Sequence, residues 1–190
     1  MLEPRLTEVQ EGKREVYFVD AAHFVMGAFL GFLWSFTRVF IRSSSGRKRF
    51  SVLGALCAVS NQVITVTTDS YVNSDSVCEL LRRIREKSKT IPISCVMDNA
   101  RYQRCHKVKA YAEQLRIELL FLPPYSPNLN LIERLWKYVK KNALNNRYYE
   151  TYELFRSAIC EVIEKPTAQM RAELRSLLTL KFQTFDSIKS

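Results

Sequence analysis

The sequence contains no Cys-x-x-Cys pair; its five cysteines, Cys57, Cys78, Cys95, Cys105 and Cys160, are odd in number and scattered. A disulfide framework and a zinc knuckle are therefore not indicated, and the thiols are expected to be reduced and mostly buried in a cytoplasmic protein. Long apolar runs are missing as well. One uncharged stretch, "AAHFVMGAFLGFLWSFT" from Ala21 to Thr37, has 17 residues and includes His23, Ser35 and two glycines. A membrane span needs about 20 apolar residues, so Gly27 and Gly31 read instead as a bend between buried strands. The opening segment, "MLEPRLTEVQEGKR", lacks the apolar core of a secretory signal. No internal repeat, low-complexity tract or long linker occurs. The scarcest feature is negative charge: 19 Asp+Glu stand against 29 Lys+Arg, a net charge of +10. Such an excess attracts polyanions, nucleic acid first and anionic membrane second.

At 190 residues, with 47% hydrophobic residues, the chain is long enough to bury a core and is expected to form one main domain. Leu2, Leu6 and Val9 predict a short amphipathic helix closed by Gly12. "VYFVD" (Val16 to Asp20) is apolar on both alternating faces, as a central strand must be. "FSVLGALCAV" and "VITVT", split by Ser60, Asn61 and Gln62, predict a hairpin. Ser74 is placed to cap a helix that buries Val77, Leu80, Leu81 and Ile84. "IPISCVM" is a buried strand ending at Asp98; a helix over Gln103 to Leu115 and a strand over Ile117 to Leu122 follow. A proline-stiffened loop then leads to the helix bearing Glu133, and two more helices are separated by Pro166. The expected fold class is α/β, a mixed sheet with helices on both faces. A lead-in helix occupies 1–14, the core 15–148, and C-terminal helices packed on the core 149–190.

Asp20 and Asp98 each follow an apolar strand run, which predicts both at strand C-terminal ends, where α/β sheets build their sites. Neighbouring carboxylates repel unless a cation, a shared proton or water compensates, and a divalent metal is the usual answer. A lone Asp after a strand is otherwise an ordinary turn former. Glu133 has its own structural explanation: Asn130 as helix cap with Glu133 three residues on, and Lys137 as its i+4 partner. On the helical wheel Leu131, Ile132, Leu135, Trp136, Val139 and Ala143 share one face. Glu133 falls opposite, among Lys137 and Lys140, on a surface suited to a phosphate backbone.

Three blocks, "FVDAAHF", "VMDNARYQ" and "LPPYSPNLNLIERLWKYVKK", resemble the catalytic blocks of DDE-superfamily transposases, in particular the mariner-related bacterial insertion-sequence group. Between Asp98 and Glu133 lie 34 residues (133 − 98 − 1), the spacing of that group. The likeness extends over roughly Glu15 to Tyr148 and includes "GRKRFSVLGAL". It implies a ribonuclease-H-like fold, with two Mg²⁺ or Mn²⁺ ions held by Asp20, Asp98 and Glu133 and with Asn99 as a supporting residue. It also implies strand cleavage at transposon ends and joining to double-stranded target DNA, at TA, by a homodimer. His23, three residues past Asp20, is a candidate to assist metal or DNA binding, against the commoner role of a satisfied core histidine. Two departures stand out: Leu131 replaces the family's usual proline, and the first block begins within about twenty residues of Met1. The second predicts a catalytic half whose helix-turn-helix segment is supplied separately, from a split or truncated transposase.

Arg42, Arg47, Lys48 and Arg49, together with Lys137, Lys140 and Lys141, are the expected phosphate contacts. Tyr125, in the proline loop, is balanced between packing and DNA contact. His106 and Trp136 read as structural. A resolvase-like or RNA–DNA hybrid nuclease would share the metal chemistry but not the "PPYSPNLN" block. A non-catalytic DNA-binding remnant or regulator of an intact transposase is the alternative from another class.

Overall fold

The computed structural model describes residues 3–27, 36, 48–123 and 129–179. Helix α1 (Glu3–Gln10) ends as predicted, where Gly12 adopts a φ of 70°, a left-handed conformation that costs glycine little. An antiparallel meander follows: β1 (Glu15–Val25), β2 (Arg49–Cys57) and β3 (Val63–Thr68). β1 runs well past Asp20, correcting the expectation that this residue closes the strand. Ala22 and Phe24 continue its buried face and pair with Val52 and Phe50 of β2, so the ladder has reason to extend.

Helix α2 (Ser74–Lys87) buries Val77, Leu80, Leu81 and Ile84 as the periodicity predicts, but its cap is Asn73 rather than Ser74. The Asn73 side chain accepts the Ser76 backbone N–H at 3.0 Å, and the Ser76 hydroxyl accepts the Asn73 N–H, a reciprocal capping box. Two parallel strands, β4 (Ile93–Met97) and β5 (Ile117–Phe121), flank α3 (His106–Gln114). Helix α4 (Ile132–Val139) passes into a π-helical turn (Lys140–Leu144), and α5 (Tyr152–Glu164) and α6 (Ala168–Leu177) complete the described chain.

The five strands form one sheet in the order β3-β2-β1-β4-β5, antiparallel on the β3 side of β1 and parallel on the other. Strand alternation sorts β1 between two cores. Tyr17 and Val19 join the core beneath α2 and α3, whereas Val16, Phe18, Ala22 and Phe24 join the larger one beneath α4, α5 and α6. Charge fastens α1 to β4 and β5. Arg5 donates to both Glu118 oxygens at 2.7 and 2.9 Å, Arg14 adds a bond at 3.2 Å, and the buried Ser94 hydroxyl another at 2.6 Å. Among the described residues no helix is long and apolar enough to cross a membrane.

Candidate active site

Parallel pairing of β1 with β4 brings the first two carboxylates together. Phe18 pairs with Val96, and the same register carried two residues further aligns Asp20 with Asp98, which follows the last residue of β4. Asp98 is exposed and fixes its own turn by accepting the Ala100 N–H at 3.2 Å. Asn99 anchors that turn, donating to the Leu122 carbonyl at 2.7 Å just beyond β5. The support expected of Asn99 therefore has a physical form: it ties the Asp98 loop to the end of the neighbouring strand.

Glu133 arrives from above the sheet. Asp20 pairs across the ladder with Gly54, and a Cβ on Gly54 would lie 2.7 Å from Cη2 and 2.8 Å from Cζ2 of Trp136. Glycine thus permits α4 to close onto the strand at the level of Asp20. Trp136 and Glu133 are three residues apart, neighbours on one side of the helix, so seating the indole also brings Glu133 toward Asp20. Burial raises the Asp20 carboxyl to about 6; the Ala21 N–H opposes that shift, Asp98 and Glu133 add to it, and the Trp136 side chain opposes it. The three acids share one electrostatic field.

The capping explanation of Glu133 does not hold in the folded chain. Leu131, in a helical conformation, is the N-cap residue of α4 and no side chain caps it. Asn130 instead donates its amide to the Val19 carbonyl at 3.2 Å, latching the start of α4 to the strand residue before Asp20. Nor does Glu133 lie on the outer basic surface; it is half-buried and coupled to Asp20. Its expected partner Lys137 is exposed and forms no ion pair with it.

Polar atoms left without partners concentrate here. Four buried side-chain atoms among the described residues have no hydrogen-bond partner: Asn61 Oδ1, Gln103 Oε1, Asn130 Oδ1 and Trp136 Nε1. Asn61 belongs to the remote β2–β3 turn, but the other three lie within five residues of Asp98 or Glu133. Trp136 Nε1 has no bond of standard geometry, yet it is near enough to favour the charged form of Asp20. Tyr102 borders the same field: burial chiefly, then Asp98, raises its phenol pKa, and Gln103 donates to its oxygen at 3.5 Å.

Asn130, Gly54, Trp136 and Tyr102 were not singled out as site residues by sequence reasoning. A glycine inside an apolar strand and a tryptophan one turn after the acid were the available signals. His23 requires correction. Odd–even alternation puts it on the face of β1 opposite Asp20, where its Nδ1 meets the Ser51 hydroxyl at 2.9 Å, so it does not support the acid. Burial and Arg49 lower its pKa.

Carboxylate oxygens are donors suited to a hard divalent cation, and Asp98 and Glu133 both act electrostatically on Asp20, with no lysine or arginine paired to Asp20 among the described residues. Among the described residues no three acids, histidines or cysteines are placed together so that they could hold a metal ion. Of the predicted DNA contacts, Lys48 and Arg49 sit at the far end of the β1–β2 ladder. Lys137 and Lys141 line a groove of about 440 Å³ between α4 and α6, and Lys140 is exposed in the π-helical turn. Arg42, Arg47 and Tyr125 lie outside the described residues.

A Sinorhizobium fredii protein, uncharacterized protein y4pE/y4sA, is 24% identical over 131 residues, covering 65% of this chain and 93% of its own. Among solved structures, the Mos1 transposase paired-end complex with left transposon end superposes with a TM-score of 0.65 at 16% identity, over 93% of this chain and 56% of the Mos1 chain. The Mos1 paired-end complex with Mg gives 0.62 at 15% identity. The Mos1 catalytic domain with raltegravir and Mg gives 0.56 at 15%, over 93% of this chain and 87% of that one. The chain thus spans about half of the full-length Mos1 transposase it matches. Its mixed five-stranded sheet, with helices on both faces, is the ribonuclease-H-like fold of that catalytic domain. The sequence agreement is broader than the three acidic blocks: residues 15–156 match the profile of the DDE superfamily endonucleases, and the chain belongs to that family.

Proposed function

We propose that the domain is the catalytic part of a transposase, which binds double-stranded DNA, breaks its phosphodiester backbone and joins freed 3′ ends to a target. The observation that supports this reading is the electrostatic influence of Asp98 and Glu133 on Asp20, with no lysine or arginine paired to Asp20 among the described residues, in a chain of net charge +10. Asp20, Asp98 and Glu133 are the residues that would hold two Mg²⁺ or Mn²⁺ ions. Bound there, such a pair activates a water or 3′-hydroxyl and stabilises the departing oxygen of an in-line displacement.

The protein's own residues supply placement and charge. Asn99 fixes the Asp98 turn, Asn130 fixes the entry to α4, and Gly54 admits Trp136 beside Asp20. Ala21 N–H and the Trp136 side chain favour the ionised form of Asp20, the form able to bind a cation. Lys48, Arg49, Lys137, Lys140 and Lys141 attract the DNA backbone without reading its sequence. Joining at TA and action as a homodimer belong to the same reading and rest on the family likeness.

Supercoiled-plasmid nicking with Mg²⁺ or Mn²⁺ tests the first half of the reaction. A labelled duplex with a recessed 3′-hydroxyl, captured into plasmid, tests the second. Wild-type protein is expected to do both, and separate Ala substitutions of the three acids to do neither. Metal-dependent nicking that survives all three substitutions would defeat the proposal. Duplex binding with no nicking under either metal would identify a DNA-binding regulator instead.

A further inference from the structure

The end of the sheet beyond Asp20 carries a group of residues that the metal site does not use. Val25, the last residue of β1, pairs with Arg49, whose guanidinium lies 4.5 Å from the ring centroid of Tyr71. Lys48 Nζ lies 5.4 Å from the ring of Tyr152, and the Arg156 guanidinium 5.1 Å from that of Phe50. Cation–ring pairs occur about once per 70–80 residues in proteins. Here three of them share one edge, drawn from β2, α5 and the segment before α2.

The parts of this rim differ in availability. Phe50 is fully buried, and the Tyr152 hydroxyl is committed to the Arg49 carbonyl at 2.7 Å and to Asp69 at 2.6 Å. Tyr71 is 71% exposed. Its ring is therefore braced by Arg49 and open to solvent. Two acids adjoin the group: Asp69, bonded to Tyr152 and 3.8 Å from Arg156, and Glu153, which acts on Tyr152 electrostatically. Against Lys48, Arg49 and Arg156 they leave a smaller positive excess, with Arg49 at the open aromatic face.

We propose that Tyr71, braced by Arg49, is a stacking platform for an unpaired DNA base, with Lys48 and Arg49 holding the adjoining phosphates. An aromatic face accepts any base, while neighbouring cations track the backbone. Position supports this occupant over an acidic peptide. Asp20 and Val25 lie on one strand five residues apart, roughly 17 Å at about 3.3 Å per residue. A DNA strand advances about 3.4 Å per nucleotide. Arg49, like Ser51, stands on the face of the sheet opposite Asp20. A strand leaving the carboxylate site therefore reaches Tyr71 by passing around the end of the β1–β2 ladder, more than roughly five nucleotides away. The inference rests on the DNA-cleaving reading above and adds to it a place where the duplex is open.

Fluorescence anisotropy in EDTA, with a labelled blunt duplex and the same duplex carrying a single-stranded extension, reads the platform directly. Stacking of one base is worth about 1–3 kcal/mol, so the extension should tighten wild-type binding roughly 5- to 100-fold. Tyr71→Ala should erase that gain and leave blunt-duplex affinity, melting temperature and plasmid nicking unchanged, and Tyr71→Phe should restore it. Equal binding of both duplexes by wild type, or a full gain in Tyr71→Ala, would overturn the platform. So would displacement of the extended duplex by polyglutamate as readily as by oligothymidine, because the surface would then be a general anion site. If wild type nicks plasmid but ignores the extension, only the platform fails; if it neither binds nor nicks DNA, the cleavage reading fails with it.

Discussion

Two acidic sites on one sheet have opposite fates. Glu118, on β5, is surrounded by donors: Arg5 engages both oxygens and Arg14 and Ser94 add one bond each. Hydrogen bonding from Arg5 is the main reason its pKa is lowered. Asp20, on β1, is buried beside two further carboxylates, and among the described residues no lysine or arginine pairs with it. In a chain holding 29 cationic side chains, a half-buried acid without one is informative. Glu118 fastens α1 to the sheet, while Asp20 is held against ionisation, chiefly by burial and further by Asp98 and Glu133. Perturbed acids of the second kind are the ones that mark functional sites.

The sharpest way to break this contrast is to delete one acid at each site and measure metal-dependent nicking. Asp98→Ala or Glu133→Ala should reduce the rate by more than the roughly 10–100-fold that follows loss of a residue merely supporting a ligand. Glu118→Ala should leave the rate per folded molecule unchanged. A comparable loss at Glu118 would mean that the two sites do not differ in kind.

Stability should move in opposite directions. The Asp20 carboxyl is raised to about 6 against an ordinary 3.8, so the folded state holds its proton more tightly. Between those values, stability should fall as pH rises, because ionisation is opposed in the fold and free in the unfolded chain. A shift of this size corresponds to about 3 kcal/mol. Asp20→Asn should therefore stabilise the protein at pH 7.5 in EDTA by up to about that amount, and abolish any rise in melting temperature on adding Mn²⁺. For Glu118, whose pKa is lowered, the stabilisation is complete above the unfolded-state value and is lost as pH falls through the folded-state value. Glu118→Gln should cost roughly 1 kcal/mol at neutral pH. Chemical denaturation across pH 4 to 8 measures both, and equal signs would dissolve the distinction.

A smaller perturbation tests how the unpaired site is assembled. Gly54→Ala places a methyl 2.7 Å from the Trp136 ring, against a helix packed on the sheet. Overpacking of this kind costs about 1–3 kcal/mol. It should also impair nicking beyond the loss of stability, because α4 carries Glu133. A variant that is destabilised but fully active per folded molecule would show that Trp136 only fills space.

Much of this was readable in advance, for identifiable reasons. Element order followed from hydrophobic periodicity, and Asp20, Asp98 and Glu133 were singled out by ordered blocks with the 34-residue interval. What escaped was whatever depends on a second element. β1 continues past Asp20 because β2 supplies Val52 and Phe50 as partners. Asn130 looks like a cap in one dimension, but the Val19 carbonyl takes its amide in three. His23, three residues from Asp20, seemed adjacent, although alternation along a strand sends them to opposite faces. The role of Gly54 needed the tryptophan that crosses it.

The smallest expected effect separates pairing from burial. On α2, Arg82 bonds Glu79 and Glu86, and Arg83 bonds Glu79, giving Glu79 two arginine partners, as Glu118 has. Hydrogen bonding from Arg82 and Arg83 lowers the Glu79 carboxyl to about 2. These side chains are 34–60% exposed, compared with 32% for Glu118, 31% for Arg5 and 16% for Arg14, so the difference lies mainly in the arginines. Solvent already stabilises exposed charges, so forming such pairs changes little and added salt weakens what remains. Glu86→Gln should leave the melting temperature within about 1 °C of wild type, and the difference should vanish at high salt. A larger, salt-resistant loss would place α2 with the Glu118 network. The predicted result instead ranks the acids by what surrounds them: solvated pairs are nearly silent, half-buried pairs fasten elements together, and the half-buried Asp20 carboxyl is disfavoured as an anion chiefly by desolvation, with Asp98 and Glu133 adding to it.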